Sequence, residues 1–466
     1  MQFRDFMRRG ALALCLAFAG LAPAFAEAPA KIMDAAALAD QRDETLAYSA
    51  GVQAYIYGYP AVDFRRVMRE QTTKGMDRAG VYAPINRIVY QDGLAKPGGI
   101  YAGRAPNTDT IYFTAWLDLS RGPVVVQAPD TNGRYYALTF ADFYSDVQHT
   151  GRRTTGTKAQ TLWVVGPDWN GAAPANVRII RLRTHQGYLL GRVLMQGPKD
   201  HARARALMQK FSISAPASDP ALVAGWPLQG ELTTLRYFAH LNSFLRANPG
   251  VPGEEALMAQ FDRIGVGPKA QFDEARLSAG ARRGLERAIT DARAIIFSAP
   301  RARQNYKNWS PIAQNSGRFG FDYFNRAVVE AVGFLINQPE ESVYPGALAD
   351  ANGAPFSGGK KYRIVFPAGG LPPHDAFWSL NAYDARTVDL IPNPIKRYGL
   401  SDSSGPLIKR ADGATEIRVQ RDKPTATDVN WLPVGEGPFF LTFRIYQPRP
   451  EVLDGRYHLP PAEPID

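Results

Sequence analysis

Between residues 99 and 197 the sequence is a series of short alternating runs cut by turn chemistry, a pattern that few folds satisfy. In 110–117, Ile111, Phe113, Ala115 and Leu117 share one face and Tyr112, Thr114 and Trp116 the other, which is the period of a strand. Runs at 124–126, 135–140, 161–165, 177–182 and 188–195 follow, separated by Pro129-Asp130, Asn132-Gly133, Gly166-Pro167 and Asn170-Gly171. Repeated strands with short turns predict an antiparallel sandwich or a partly closed barrel. A second β region follows at 362–366, 376–383, 416–420 and 439–446. There Phe377, Ser379, Asn381 and Tyr383 form one face of a strand, with Trp378, Leu380 and Ala382 on the other.

The rest of the chain has helical spacing. Asp34 can cap a helix over 34–70, with Gly58-Tyr59-Pro60 expected to kink or interrupt it. Residues 200–338 read as a set of helices broken at Pro216, Pro227, Pro249-Gly250 and Pro300. The 448–466 segment is Pro-rich and reads as an extended tail. The expected fold class is α+β: two antiparallel β-sandwich or jelly-roll-like regions separated by a mainly helical segment, with an N-terminal helix. The expected divisions are a leader at 1–26, a first β domain with its helix at 27–199, the helical segment at 200–338 and a second β domain at 339–466.

Arg4, Arg8 and Arg9, a short apolar run at 11–22 and the closing Ala24-Phe25-Ala26 have the make-up of a secretory signal peptide cut after Ala26. The run is too short for a transmembrane anchor, so a periplasmic or secreted protein is expected. Arg8-Arg9 leaves twin-arginine export open beside the general route. The one cysteine, Cys15, lies in that leader, so the remaining chain has no thiol nucleophile, disulfide or thiolate metal site. Removing the leader takes three arginines and one aspartate from 54 basic and 44 acidic residues, leaving a net charge of +8. That charge is scattered and is not interleaved with aromatics, so no nucleic-acid partner is expected. The chain carries no Gly-x-Gly-x-x-Gly, phosphate loop, Gly-x-Ser-x-Gly or His-Glu-x-x-His, and its six histidines lack ligand-like spacing. Neither cofactor nor metal is called for.

Two constellations could carry chemistry. Asp109 and Asp142 sit in or beside aromatic-rich strands, where an ionised carboxylate is costly to bury alone. Read as a site, they are an acid/base pair, with Asn107, Tyr112, Tyr144, Arg152 and Arg153 as substrate-binding groups. Read as structure, Asn107 and Asp109 hold a loop through side-chain-to-backbone bonds. The second set is Trp378, Tyr383, Asp384, Asn430 and Trp431: indoles to stack on a sugar face, polar groups for hydroxyls. The same set also suits a sandwich core with turns.

The chain resembles a bacterial arrangement in which a domain of unknown function 1254 precedes a domain of unknown function 1214. The first is carried by Tyr55-Ile56-Tyr57-Gly58-Tyr59-Pro60, Pro106-Asn107-Thr108-Asp109-Thr110-Ile111-Tyr112, Gly122-Pro123-Val124-Val125 and Gly151-Arg152-Arg153. The second is carried by Phe366-Pro367-Ala368-Gly369, Ala376-Phe377-Trp378-Ser379-Leu380, Asn430-Trp431-Leu432-Pro433 and Arg444-Ile445-Tyr446-Gln447-Pro448. The resemblance implies an exported, β-rich and often oligomeric protein, and leaves its activity open. His374 departs from it, standing where an apolar residue is expected.

The leading functional expectation is a periplasmic protein that binds a small polar or carbohydrate-like ligand, with hydrolysis by paired carboxylates as its catalytic form. The rival is a non-catalytic cell-envelope scaffold or interaction protein that forms a homo-oligomer. A third reading, an oxidoreductase exported folded, rests on Arg8-Arg9 alone.

Overall fold

The computed structural model describes residues 34–76, 81–100, 103–219, 221–302 and 309–466. The leader therefore lies outside the described residues. No helix among the described residues is long and apolar enough to cross a membrane.

Asp34 caps the first helix, α1 (Ala35–Thr72), accepting from the Ala37 amide at 2.6 Å. α1 does not break at Pro60. Proline takes the helical donor from the Ile56 carbonyl, and packing ties the carbonyls on either side of it: the Tyr237 hydroxyl donates to the Tyr55 carbonyl at 2.7 Å, and Arg326 Nη2 to the Tyr57 carbonyl at 2.9 Å. Buried on both sides of the proline, the helix is held by its neighbours where local preference would bend it.

The first sandwich is built from β1 (Val89–Tyr90), β2 (Thr110–Asp118), β3 (Val124–Ala128), β4 (Tyr136–Asp142), β5 (Val147–Gly151), β6 (Gln160–Val165), β7 (Arg178–Arg181), β8 (Gln186–Leu194) and β9 (Ser212–Ser214). One sheet runs β1-β2-β8-β4-β5 and the other β7-β6-β3-β9. Pairing is antiparallel except for β6 with β7. Their shared core holds Ile111, Phe113, Leu117, Leu138, Phe140 and Leu189, the apolar face read from the alternation.

Helices α2 (His201–Met208), α3 (Arg236–Ala247), α4 (Glu255–Asp262), α5 (Ala279–Ala302) and α6 (Tyr323–Gly333) come next. All but α2 gather around α1, whose buried tyrosines pack on these helices and on Tyr144.

The second sandwich comprises β10 (Ser342–Val343), β11 (Gly346–Ala347), β12 (Lys361–Phe366), β13 (His374–Asp384), β14 (Asp389–Leu390), β15 (Gly399–Ser401), β16 (Thr415–Gln420), β17 (Asn430–Pro433) and β18 (Phe439–Pro448). Its inner sheet runs β10-β18-β13-β14, with β11 on β18 and β15 on β13. The tail forms a short helix, α7 (Pro450–Leu453), and ends as an edge strand, β19 (Glu463–Ile465), paired with β12 in the outer sheet.

The polar face of β2, β8, β4 and β5 becomes a shared platform. Pairing sets rows across it: Trp116, Tyr188, Ala141 and Val147; then Thr114, Leu190, Thr139 and His149; then Tyr112, Arg192, Ala137 and Gly151. The first row packs into the helical core. Beyond it the face meets the second sandwich, where Tyr135, Ala137 and Leu194 touch Phe377 and Tyr446.

Candidate functional site between the sandwiches

The stretch leading into β2 is tied residue by residue to the facing sheet. Arg444 Nη2 donates to the Ala105 carbonyl at 2.6 Å and the Tyr383 hydroxyl to the Pro106 carbonyl at 2.7 Å. Asn107 Nδ2 donates to the Tyr446 hydroxyl at 2.7 Å, and Asn381 Nδ2 to Thr108 Oγ1 at 2.8 Å. Ser379 Oγ completes the series, donating to Asp109 Oδ2 at 2.6 Å. These partners sit on the polar faces of β13 and β18, opposite the faces that fill the second core. Asn107 also closes its own turn, its Oδ1 accepting from the Asp109 and Thr110 amides at 3.0 and 3.1 Å.

Arg192 stands in the middle of this layer, 6% exposed. Among the described residues it donates one hydrogen bond, from Nη1 to Thr139 Oγ1 at 2.6 Å, and makes no ion pair. Its guanidinium lies 5.7 Å from the centre of the Tyr112 ring. Arg444 is equally buried and also has no ion pair among the described residues, but it is better occupied. Its Nη1 donates to Asn381 Oδ1 at 2.8 Å, and it stacks on Tyr383. A buried cation without a carboxylate is costly, and Arg192 is the less compensated of the two. Around it Thr139 and His149 Nε2 share Asn337 Oδ1, and Asn337 Nδ2 donates to the Tyr344 hydroxyl at 2.6 Å. Burial pushes His149 down to about 4, so it is neutral, with Nδ1 left as a buried acceptor that has no partner among the described residues. Tyr112, Tyr344 and Thr442 stay partly exposed at its margin.

The two carboxylates singled out in the sequence do not meet. Asp109 precedes Thr110, which pairs with Leu194 at one end of β8, whereas Asp142 pairs with Gly187 near the other. Seven strand residues, roughly 23 Å, separate them. Paired-carboxylate hydrolysis needs its acids within about 5–10 Å. Burial raises Asp109 to about 6, opposed by the Ser379 hydroxyl and the charge of Arg444. Asp142 is pushed up by burial and by Asp146, while its Oδ1 accepts from the Tyr144 and Asp146 amides and so closes the β4–β5 turn.

The other residues divide by location. Tyr112 belongs to the layer. Arg152 donates to the Asp375 carbonyl and to Gln447, and Arg153 Nε to Glu341 Oε2 at 2.8 Å, so both clamp the second sandwich from its edge. Tyr144 lies at the helical end of the platform, its hydroxyl donating to the Asn248 carbonyl at 3.0 Å beneath Arg183. The second constellation does not converge. Trp378 is fully buried in the second core beside Phe366 and Phe443. Asp384 holds Arg386 and the turn after β13. Asn430 ties the 408 backbone to the outer sheet, and Trp431 Nε1 donates to the Gln420 carbonyl.

Sequence reasoning missed Arg192, Arg444 and His149. A signal was present for the arginines: each is the one charged residue of a long buried strand, Gln186–Leu194 and Phe439–Pro448. His149 lay in a stretch not read as a strand. His374, the departure, donates from Nε2 to Asp402 Oδ2 at 2.7 Å, while Asp402 Oδ1 accepts from the Trp378 amide at 3.0 Å.

Two β-sandwiches joined face to face across a polar layer, with a helical layer on the remaining half of one face, define the class of protein. Residues 85–215 match the family described as Protein of unknown function (DUF1254), and residues 341–450 match Protein of unknown function (DUF1214). The chain therefore belongs to the proteins in which a DUF1254 region is followed by a DUF1214 region; the Tyr55–Pro60 run lies upstream of the matched residues. The crystal structure of the VPA0106 protein from Vibrio parahaemolyticus shares the fold, with a TM-score of 0.67 at 22% identity over 91% of this chain and 100% of that one. An uncharacterized protein from Burkholderia cenocepacia is more distant, with a TM-score of 0.43 and 12% identity over 92% of this chain and 96% of that one. Comparison with curated proteins gave no match.

Proposed function

We propose that the protein binds a small polar ligand bearing a carboxylate in the layer between its sandwiches, with Arg192 as the anchor. The observation that carries this reading is the single hydrogen bond of a buried guanidinium with no ion pair among the described residues. A carboxylate there would accept charge-assisted bonds from the free edge of that guanidinium. The hydroxyls of Tyr112, Tyr344 and Tyr446 would meet its polar groups. Sites between domains are where such ligands commonly sit. The basic start and short apolar run before Ala26 support export, so the ligand is one of the cell envelope, an acidic sugar being the simplest that fits. Catalysis is not part of the proposal, because the two carboxylates lie at opposite ends of the sheet.

The test is a thermal-shift screen of the protein expressed from its full-length sequence, with uronic acids, aromatic carboxylates, neutral sugars and divalent metals. A ligand at about 100 times its Kd stabilises the native state by about 2.7 kcal/mol. The expected result is a shift confined to carboxylates and lost in Arg192→Gln. A shift with neutral sugars, or one retained in Arg192→Gln, removes Arg192 from the site. A flat screen transfers support to the scaffold reading.

A further inference from the structure

A cavity lies outside that layer, lined on one side by Tyr135 and Ala376. The turn at 130–134, one face of α2 and the 152 corner enclose an open cavity of about 740 Å3, within the range that holds oligosaccharide- or drug-sized ligands. Its lining carries four cations, Arg134, Arg152, Arg203 and Lys210, and one acid, Asp130.

Their pairing is uneven. Asp200 holds Arg134 through Nη1 and Nη2, and Lys158 neutralises Asp130 at 3.0 Å. Arg152, Arg203 and Lys210 make no ion pair among the described residues. Arg152 is nonetheless fixed: the Asp375 carbonyl and Gln447 Oε1 take its Nη1, so its charge is positioned without being neutralised. Arg203 on α2 and Lys210 in the turn just after it share the lining with Arg152, and both are exposed. Between the cations the side-chain amides of Asn132 and Gln196 make no hydrogen bond among the described residues, leaving donors and acceptors for neutral groups.

We propose that this groove binds an acidic oligosaccharide. Separated uncompensated cations suit a ligand whose carboxylates repeat along a chain, and free amides between them suit its hydroxyls. A membrane surface fits less well. None of the lining residues is an exposed large apolar side chain, whereas interfacial binding depends on buried apolar area as well as charge. Single-stranded nucleic acid would want exposed rings to stack on, and the one aromatic in the lining, Tyr135, is buried.

The experiment is fluorescence anisotropy with labelled hexagalacturonate and the protein expressed from its full-length sequence, at low and at physiological salt. Binding should weaken as salt rises, and a neutral hexasaccharide should not compete. The double variant Arg203→Gln/Lys210→Gln should lose roughly tenfold in affinity at low ionic strength with its Tm unchanged, since both side chains are exposed. Affinity unchanged in the double variant would overturn the proposal. So would equal competition by inorganic phosphate, or binding to phosphatidylglycerol vesicles with none to the oligosaccharide.

Discussion

Arg192 and Arg444 are buried in one layer, yet their loss should be felt differently. Arg444 fills two acceptors, Asn381 Oδ1 and the Ala105 carbonyl, so Arg444→Gln strands buried groups and should cost about 2–4 kcal/mol. Arg192 fills one, Thr139, whose hydroxyl can turn to another acceptor when the guanidinium is gone. Arg192→Gln removes an uncompensated charge, so its unfolding midpoint in urea should equal or exceed that of the parent. A loss as large as that of Arg444→Gln would mean that Arg192 is structural. Asp109 gives a prediction in pH. The folded chain keeps a proton on this carboxyl up to about pH 6, against 3.8 for a free aspartate. Between those values the folded state binds more protons than the unfolded one, so stability falls as pH rises through the window and levels off above it. Asp109→Asn removes that loss. The stability of the variant relative to the parent should therefore climb between pH 4 and 7, by about 3 kcal/mol at most. A difference that stays flat across urea titrations at pH 4, 5, 6 and 7 would show that burial does not govern this carboxyl.

At the scale of single elements, the alternation in 110–117 and 376–383 assigned each side chain to the face it occupies, because a strand of period two has one solution once its apolar face is known. Local chemistry failed where packing opposed it. Pro60 reads as a break, but Tyr237 and Arg326, both more than 170 residues away in sequence, bond the Tyr55 and Tyr57 carbonyls in the turn before it. β5 was missed because Val147, His149 and Gly151 give a face of mixed polarity, which only the junction makes sense of. Gly191 was legible in principle, since an isolated glycine in a strand marks a close approach. A Cβ there would lie 2.0 Å from the ring of Phe113, directly across the ladder. That ring is fully buried and packed on Phe211 at 5.0 Å. Gly191→Ala should therefore destabilise by about 1–3 kcal/mol through overpacking, read as a fall in Tm. An unchanged Tm would mean that the first core has slack which its packing does not show.

At the scale of the molecule, the sequence separates two β regions but cannot say that their polar faces meet. A strand specifies which face is apolar, and leaves open what covers the other. Here the answer depends on five consecutive residues, 105–109, each bonded to β13 or β18. Without the second sandwich, Tyr112, Arg192 and Ala137 would face water. Without the first, so would Phe377, Tyr383, Arg444 and Tyr446. Neither sandwich is then independent, and calorimetry should show one transition whose calorimetric and van't Hoff enthalpies agree. Weakening the contact with Ser379→Ala/Asn381→Ala removes partners of Asp109, Thr108 and Arg444 while leaving both apolar cores intact. Because stability within each core is retained and only the coupling is lost, this variant should split the transition in two. Two transitions in the parent chain would mean that the sandwiches fold as separate units, and that the polar layer joins them without contributing to either.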